Sequence, residues 1–315
     1  MKQVILLLIC VLLFLTSCGQ VQKQGELKNV GLLVPETIMD QGWGSKAYRG
    51  ILQIQSSYQV DVYYKEGMNT KSVVERAVKE FDQKGVNLIF GHGHEYAEYF
   101  SEISLNYPDI HFITFNGDAK NDNVTSLHFE GYAMGFFAGM VAAHMTKRNH
   151  IGIIPAFEWQ PEVKGFYDGA KFENNLVSIE MEYVNDFNDV EKALKIFNNI
   201  HAKQVDIIYP AGAYSVPVIE KVKENGIYGI GYISDQSDVG TNIVLTSTVQ
   251  HVGKLYEWVA NTYNNGYLES GNLSFDFQDD AISLGTFSPL IDEAFVKEIQ
   301  NDIERYKKTG KLPNQ

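Results

Sequence analysis

Along almost the whole chain, short apolar segments typical of buried strands alternate with amphipathic segments typical of helices. Asn29–Val34 predicts a buried strand, and the helix that Thr70 caps places Val74 and Val78 on one face before Gly85 ends it. Because repeated strand–helix–strand units form parallel sheets with helices on both faces, we predict an α/β fold. The other predicted strands are 60–64, 86–90, 111–115, 124–129, 151–154, 205–209, 228–233 and 243–247, and the other predicted helices include 45–57, 95–105, 189–201 and 215–225.

A sequence pattern that occurs twice in the chain predicts that these units form two lobes of like topology. Lys84–Phe90 matches Lys203–Tyr209 in pattern, an offset of 119 residues, and the same offset carries Asn116 onto Asp235. Ligands of doubly wound sheets bind beyond the carboxyl ends of the strands. We therefore expect a ligand cleft between the two lobes, with hinge closure as its motion.

The composition is that of an ordinary globular chain with a substantial core. Apolar residues make up 44% of the 315 residues and charged residues 21%, so a disordered chain is excluded. The formal net charge of −13 repels a phosphate backbone. We therefore expect no direct contact with nucleic acid.

The first residues have the pattern of a secretory signal. Lys2 precedes an apolar run at 4–15, which is too short to span a bilayer. Leu15–Gly19 then resembles the lipobox of bacterial lipoproteins, in which the thiol of Cys18 is acylated after cleavage before it. A plain cleaved signal peptide is the alternative. We predict a signal peptide at 1–17, a lipid-anchored tether at 18–29, and a location on the extracytoplasmic face of the cell membrane.

Cysteine use agrees with this location. Cys10 and Cys18 are the two cysteines of the chain, so the part beyond residue 18 has neither a disulfide nor a thiol nucleophile. Such a body suits an oxidising compartment.

Two loops after predicted strands carry candidate ligand-binding residues in the first lobe. Trp43 lies in the glycine-flanked loop Asp40–Gly44, where its ring either stacks on a flat ligand or tucks into the lobe core. His92, His94 and Glu95 follow another strand. A metal site is possible there, but the glycines favour a tight loop that lines the cleft.

Two further motifs have competing interpretations. Asp235 follows a strand, where its carboxylate either accepts hydrogen bonds from sugar hydroxyls or caps a turn. Gly131, Gly135 and Gly139 lie four residues apart around an apolar segment at 132–145. This segment is too short for a membrane dimer motif, so we predict a buried helix that crosses a sheet closely.

Signatures of catalysis are missing from the sequence. It contains neither a glycine-rich phosphate loop nor the Gly-x-Ser-x-Gly turn of hydrolases. Carboxylates near the cleft leave a nucleosidase-like enzyme as the weakest alternative. We predict no catalytic residue, no metal and no cofactor.

Several of these segments occur, in the same order, in one known family. The chain resembles the basic membrane protein family of lipoproteins, which includes purine nucleoside receptors of ABC importers, over roughly residues 30–313. The matching segments are the lipobox, Asp40–Trp43, Gly135–Gly139, Gly165–Lys171, Gly231–Gln236 and Leu245–Ser247. Three further segments resemble a branch of this family that positively regulates competence genes in spore-forming Gram-positive bacteria, namely Tyr63–Gly67, Glu158–Val163 and Gly285–Leu290.

The resemblance implies a type I periplasmic-binding-protein fold, in which two doubly wound parallel-sheet lobes are joined by a three-strand hinge. On that template the chain crosses between lobes near Phe129, Val249 and Gly285. The implied first lobe comprises 30–129 and 250–284, and the implied second lobe comprises 130–249 and 285–315.

The resemblance also implies ligand-binding residues. Asp40 matches a cleft aspartate, Trp43 an aromatic that stacks on the base, and Asp235 the aspartate that holds the ribose. The chain departs from nucleoside receptors at three positions, where Gly44 replaces Asn, Asn116 replaces the Asp that reads the base edge, and Gln250 replaces Lys. Since Asn donates as well as accepts hydrogen bonds, we expect an altered base preference or a weaker affinity for nucleosides.

These observations predict a membrane-anchored binding protein that closes over a small, nucleoside-like ligand for an ABC permease or as a sensor. The alternative is a positive regulator of competence gene expression that acts indirectly from the membrane. A sensor could serve both functions.

Overall fold

The computed structural model describes residues 25–39 and 42–315. Its strands form two six-stranded sheets, one in each lobe. The first sheet contains β1 (Asn29–Leu33), β2 (Asp61–Lys65), β3 (Leu88–Gly91), β4 (His111–Phe115), β5 (Val124–Phe129) and β11 (Gly271–Phe275). The second contains β6 (His150–Pro155), β7 (Ser178–Met181), β8 (Ile207–Ala211), β9 (Tyr228–Gly231), β10 (Val244–Gln250) and β12 (Ile282–Leu284).

Helices connect the strands and cover both sheets. The helices are α1 (Trp43–Tyr58), α2 (Lys71–Gln83), α3 (Tyr96–Ile103), α4 (Tyr132–Met145), α5 (Pro161–Glu173), α6 (Val190–His201), α7 (Ser215–Glu224), α8 (Val252–Asn264) and α9 (Glu293–Thr309). Short 3₁₀ turns follow at Ser104–Asn106 and Ser237–Val239. Every residue of β4 and β10 is buried, as expected for strands covered on both faces.

The two sheets have the same topology. Their strand orders are β11-β5-β4-β3-β1-β2 and β12-β10-β9-β8-β6-β7, so each strand of one has a counterpart in the other. All neighbours pair in parallel except β12, which runs antiparallel to β10. The predicted α/β fold of two parallel-sheet lobes is confirmed, and the two segments with the same sequence pattern lead into the equivalent strands β3 and β8.

The helix ends agree in part with the capping residues predicted from the sequence. Gly85 takes a left-handed φ of 70° after α2, and Gly226 takes 64° after α7. Asp189 caps α6 by accepting a hydrogen bond from the Lys192 N–H at 2.9 Å. Thr70 is the N-cap residue of α2, as predicted, but its side chain makes no capping hydrogen bond; its carbonyl accepts from the N–H groups of Val73 and Val74.

The chain passes between the sheets three times. It leaves the first sheet after β5, returns after β10 and leaves again between β11 and β12. The implied boundary after residue 284 needs a correction at β12. Because Gln250 pairs with Ile282 and Thr248 with Leu284, this strand belongs to the second sheet, and the third crossing precedes it.

Four glycines bring α4 and α5 into backbone contact. They are Gly135 and Gly139 on α4 and Gly165 and Gly169 on α5. A Cβ on any of them would lie 1.9–2.1 Å from a carbonyl oxygen of the facing helix; the pairs are Gly135 with Glu162, Gly139 with Phe166, Gly165 with Tyr132 and Gly169 with Phe136. The prediction of a buried helix is correct, but its glycines face a second helix rather than a sheet.

Part of the predicted tether is attached to the first lobe. The Leu27 N–H donates to Asn264 at 3.0 Å, and the Lys28 N–H donates to Asn87 at 3.0 Å. Leu27 is buried, and Asn29 already belongs to β1. Residues 27–29 of the tether predicted for 18–29 are therefore part of the first lobe. Cys18 and the signal segment lie outside the described residues.

Within residues 25–39 and 42–315, no helix has the length and apolar character needed to cross a bilayer.

Candidate functional site

The predicted ligand-binding residues that the structure describes lie at the carboxyl ends of strands. Trp43 opens α1 after β1, Asn116 directly follows β4, Asp235 lies beyond β9, and Gln250 ends β10. In parallel sheets these ends share one edge, which is where ligands bind. Asp40 lies outside the described residues.

Trp43 is fixed in the first lobe by its aromatic neighbours. Its ring stacks on His92 with centroids 4.1 Å apart and planes at 21°, and it meets the edges of Phe115 and Phe129 at 5.8 and 6.2 Å. Its indole N–H donates to the His92 carbonyl at 3.2 Å. The side chain remains half-buried. One face of the ring is thus anchored in the lobe core while part of the ring reaches the surface.

His92 is a neutral, fully buried support for Trp43. Its Nε2 lies 3.0 Å from the Trp43 carbonyl oxygen, which can only accept, so Nε2 carries the proton. Its Nδ1 therefore accepts from the Tyr256 hydroxyl at 3.1 Å. Burial lowers the pKa of His92 to about 3. His94 is exposed and lies 3.5 Å from Glu95.

The loop after β3 therefore serves to position Trp43. Among the residues that the structure describes, no three histidine, cysteine or carboxylate side chains converge as metal ligands.

The second lobe presents an aromatic cluster of Phe157, Trp159 and Phe187, which the sequence analysis missed. Trp159 stacks on Phe157 with centroids 5.5 Å apart and meets Phe187 at 5.9 Å. Trp159 is 57% exposed, and its ring lies 6.3 Å from that of His94 in the first lobe. The cluster thus approaches the loop after β3 of the first lobe. The exposed tryptophan in Glu158–Val163 was the available signal.

Asn116 and Asp235 each bind a segment at the end of another strand. Asn116 takes a left-handed φ of 56°, and its Oδ1 accepts from the Phe129 N–H at 3.2 Å, at the end of β5. Asp235 accepts from the N–H and the hydroxyl of Thr286 at 2.9 and 2.6 Å, just after β12. Asp235 also accepts from the Ser237 N–H at 3.1 Å, which is the turn-capping contact weighed above. The role of Thr286 could not be read from the sequence.

Hydrogen bonds keep Asp235 ionised although part of it is buried. Burial raises the pKa of this carboxyl, but the bonds from Thr286 and Ser237 outweigh burial and hold the pKa below its usual range. The side chain is exposed at the sheet edge. It is therefore a charged acceptor available to a polar ligand.

Replacement of Thr286 by valine should raise the pKa of Asp235, because the hydroxyl donor is lost while the backbone N–H remains. We expect a loss of about 1 kcal/mol in the free energy of unfolding. Carboxyl-detected NMR titration measures the pKa, and urea unfolding measures stability. Thr262→Val is the control, since that hydroxyl bonds carbonyls of its own helix. An unchanged Asp235 titration in Thr286→Val would contradict this account.

Gln250 meets a lysine ammonium that the sequence analysis did not consider. Lys46 in the first turn of α1 donates to the carbonyl oxygen of Gln250 at 2.9 Å and to that of Ile233 at 2.5 Å. The Gln250 N–H donates to the same Ile233 carbonyl at 2.9 Å. Burial, followed by repulsion from Arg49, lowers the pKa of Lys46 to about 8. A lysine ammonium from α1 thus lies against the backbone of Gln250, the position at which, by the resemblance, nucleoside receptors carry Lys.

Comparisons with known proteins identify a matching family model and similar sequences and structures. The family model described as "ABC transporter substrate-binding protein PnrA-like" (Bmp) matches residues 27–315. The transcriptional activator protein med of Bacillus subtilis is 49% identical over 310 residues, which cover 98% of each chain.

Two solved structures extend these similarities. A transcriptional activator of the comK gene from Bacillus halodurans has a TM-score of 0.85 and 51% identity, covering 90% of this chain and 99% of that one. An ABC transporter solute-binding protein from Conexibacter woesei has a TM-score of 0.71 at 18% identity, covering 91% of this chain and 99% of that one. This similarity supports the fold alone.

Proposed function

The chain belongs to the Bmp family of PnrA-like ABC transporter substrate-binding proteins, as its resemblance predicted, and from this premise we propose that it is a membrane-anchored, extracytoplasmic receptor that closes over a nucleoside-like ligand. A family of substrate-binding proteins requires no catalytic step. The proposed role is to capture the ligand and either deliver it to an ABC permease or report its presence.

The observation that carries this proposal is the pair of aromatic surfaces at the cleft. Trp43 lies at the sheet edge of the first lobe, and Trp159 lies on the second lobe, where its ring is 6.3 Å from that of His94 in the loop after β3. Flat aromatic rings stack favourably on heteroaromatic bases. Asp235 adds an exposed, ionised acceptor for sugar hydroxyls. These groups match a ligand with a flat ring and a hydroxylated sugar.

Ligand-dependent thermal stabilisation of residues 25–315 tests this proposal. A ligand at a hundred times its dissociation constant stabilises the folded state by about 2.7 kcal/mol. We expect such a shift with one or more purine or pyrimidine nucleosides or their derivatives, and its loss in Trp43→Ala and Asp235→Ala. Trp258→Phe is the matched control, because Trp258 packs on Phe275, away from the cleft residues. The absence of a shift throughout the panel would overturn the nucleoside assignment.

A second function, positive regulation of competence genes, is favoured by the similarity to two proteins named as transcriptional activators. We propose that this chain, with a formal net charge of −13, acts indirectly rather than by binding DNA. The signal would start at the membrane, where two acyl chains on Cys18 give stable anchoring.

Cys18→Ala should then release the protein from the membrane and abolish its effect on a competence reporter. Cell fractionation and reporter activity measure the two outcomes, and Cys10→Ala within the signal is the control. Full reporter activity from a soluble cytoplasmic form would rule out the membrane route.

A further inference from the structure

We infer that the ligand carries an acidic group, a carboxylate or a phosphate, which pairs with the ammonium of Lys46. This inference rests on the proposed function, since it specifies the chemical class of ligand that the cleft takes.

The position of Lys46 places a cation where the two lobes meet. Lys46 lies one helical turn beyond Trp43 on α1, so the two side chains emerge from neighbouring positions on that helix. Its ammonium reaches the carbonyl oxygen of Ile233, in the loop after β9, at 2.5 Å, and that of Gln250, at the end of β10, at 2.9 Å. The charge therefore lies between the first lobe and the crossing strand of the second.

Among the residues that the structure describes, no group around this ammonium balances its charge. Lys46 forms no ion pair among residues 25–39 and 42–315. Its charged or titratable neighbours are Arg49 on α1, His92 after β3 and His251 before α8, none of which supplies a negative charge. The ionised Asp235 lies two residues beyond Ile233, but its oxygens accept hydrogen bonds from Thr286 and Ser237, and the structure shows no ion pair between Asp235 and Lys46.

A cation that is removed from water and held only by carbonyl dipoles is expensive, and an anion beside it lowers that cost. This cost of burying the charged form lowers the pKa of Lys46 to about 8. An ammonium has three donors, and the two carbonyls use two of them. The third N–H has no protein acceptor among the described residues and can donate to a ligand.

The test compares matched neutral and acidic probes. Adenosine, adenosine-5′-carboxylic acid and adenosine 5′-monophosphate, with the guanosine series beside them, are titrated calorimetrically into residues 25–315 at pH 7. We expect at least one acidic probe to bind about tenfold more tightly than its parent nucleoside, because a charge-assisted hydrogen bond is about twice as strong as a neutral one. Comparing the affinities of the carboxylate and phosphate probes identifies which acidic group the site accepts.

Variants of Lys46 connect the preference to this residue. Lys46→Gln should abolish the tenfold preference, and Lys46→Arg should retain it because the charge remains. Lys71→Gln is the control, since Lys71 pairs with Glu102 on an exposed surface. The preference of the unmodified protein should also decline above about pH 8, where Lys46 loses its proton while the probes stay charged.

The outcomes separate this inference from the proposed function. Equal affinity for neutral and acidic probes, or a preference that survives Lys46→Gln, would overturn the inference and leave a nucleoside receptor. Failure of every probe to bind would overturn both.

Discussion

Replacement of Gly169 by alanine should destabilise the protein by more than about 3 kcal/mol, the largest effect that we expect from a single added methyl group. The new Cβ would lie 1.9 Å from the carbonyl oxygen of Phe136, and a backbone atom cannot move aside as a side-chain tip can. Glycines on both helices allow this approach, so α4 and α5 would have to separate. Urea unfolding followed by circular dichroism measures the loss.

Gly253→Ala is the matched control, because Gly253 also lies in a helix. Its added Cβ would meet only the end of the flexible Gln53 side chain, at 3.1 Å. Since alanine favours helix more than glycine does, we expect little or no loss of stability there. Equal stability of the two variants would show that the close helix contact does not determine the fold.

Acidification from pH 7 to pH 5 should cost about 4 kcal/mol of stability through two buried histidines. Burial lowers the pKa of His92 to about 3 and that of His111 to about 4, whereas an unfolded histidine titrates near 6.5. The unfolded chain therefore binds protons first. The stability from the two neutral rings is complete above pH 6.5 and is lost as the pH falls toward 3–4, at about 2 kcal/mol for each ring at pH 5.

Urea unfolding at pH 7 and pH 5 measures this loss. His92→Gln should reduce the difference between the two pH values by about 2 kcal/mol, because an amide does not titrate in this range. His94 is exposed, so His94→Gln should leave the difference in unfolding free energy between pH 7 and pH 5 unchanged. If His92→Gln kept the full difference, His92 would have to be charged in the folded protein.

The lobe architecture could be predicted because its signals are local and repeated. Buried strands such as β3 are short apolar runs, and equivalent strands recur at a nearly constant offset. The strands β7, β11 and β12 were not predicted, since none of them has a continuous apolar pattern. β12 is fixed by its pairing with β10, which is a tertiary contact.

The candidate site could be predicted only where a residue's role follows from its place after a strand. That rule located Trp43 and Asp235, but it could not determine whether Trp43 faces the core or the ligand. In the structure His92 stacks on Trp43, whose side chain remains half-buried. Lys46 was missed because it meets Ile233 and Gln250 across 187 and 204 residues of sequence. Such contacts depend on how the lobes meet, which local patterns do not encode.

The distance between the lobes, measured by spin labels with and without ligand, tests the central claim that they close over a small molecule. Residues 25–315 contain no cysteine, so Glu98→Cys and Glu191→Cys can be labelled without background. Both positions are exposed in the first turns of helices that face the cleft edge, α3 and α6. We predict a shift to shorter distances with a ligand that raises the melting temperature, and no shift in Trp43→Ala. An unchanged distance at saturating ligand would contradict the account.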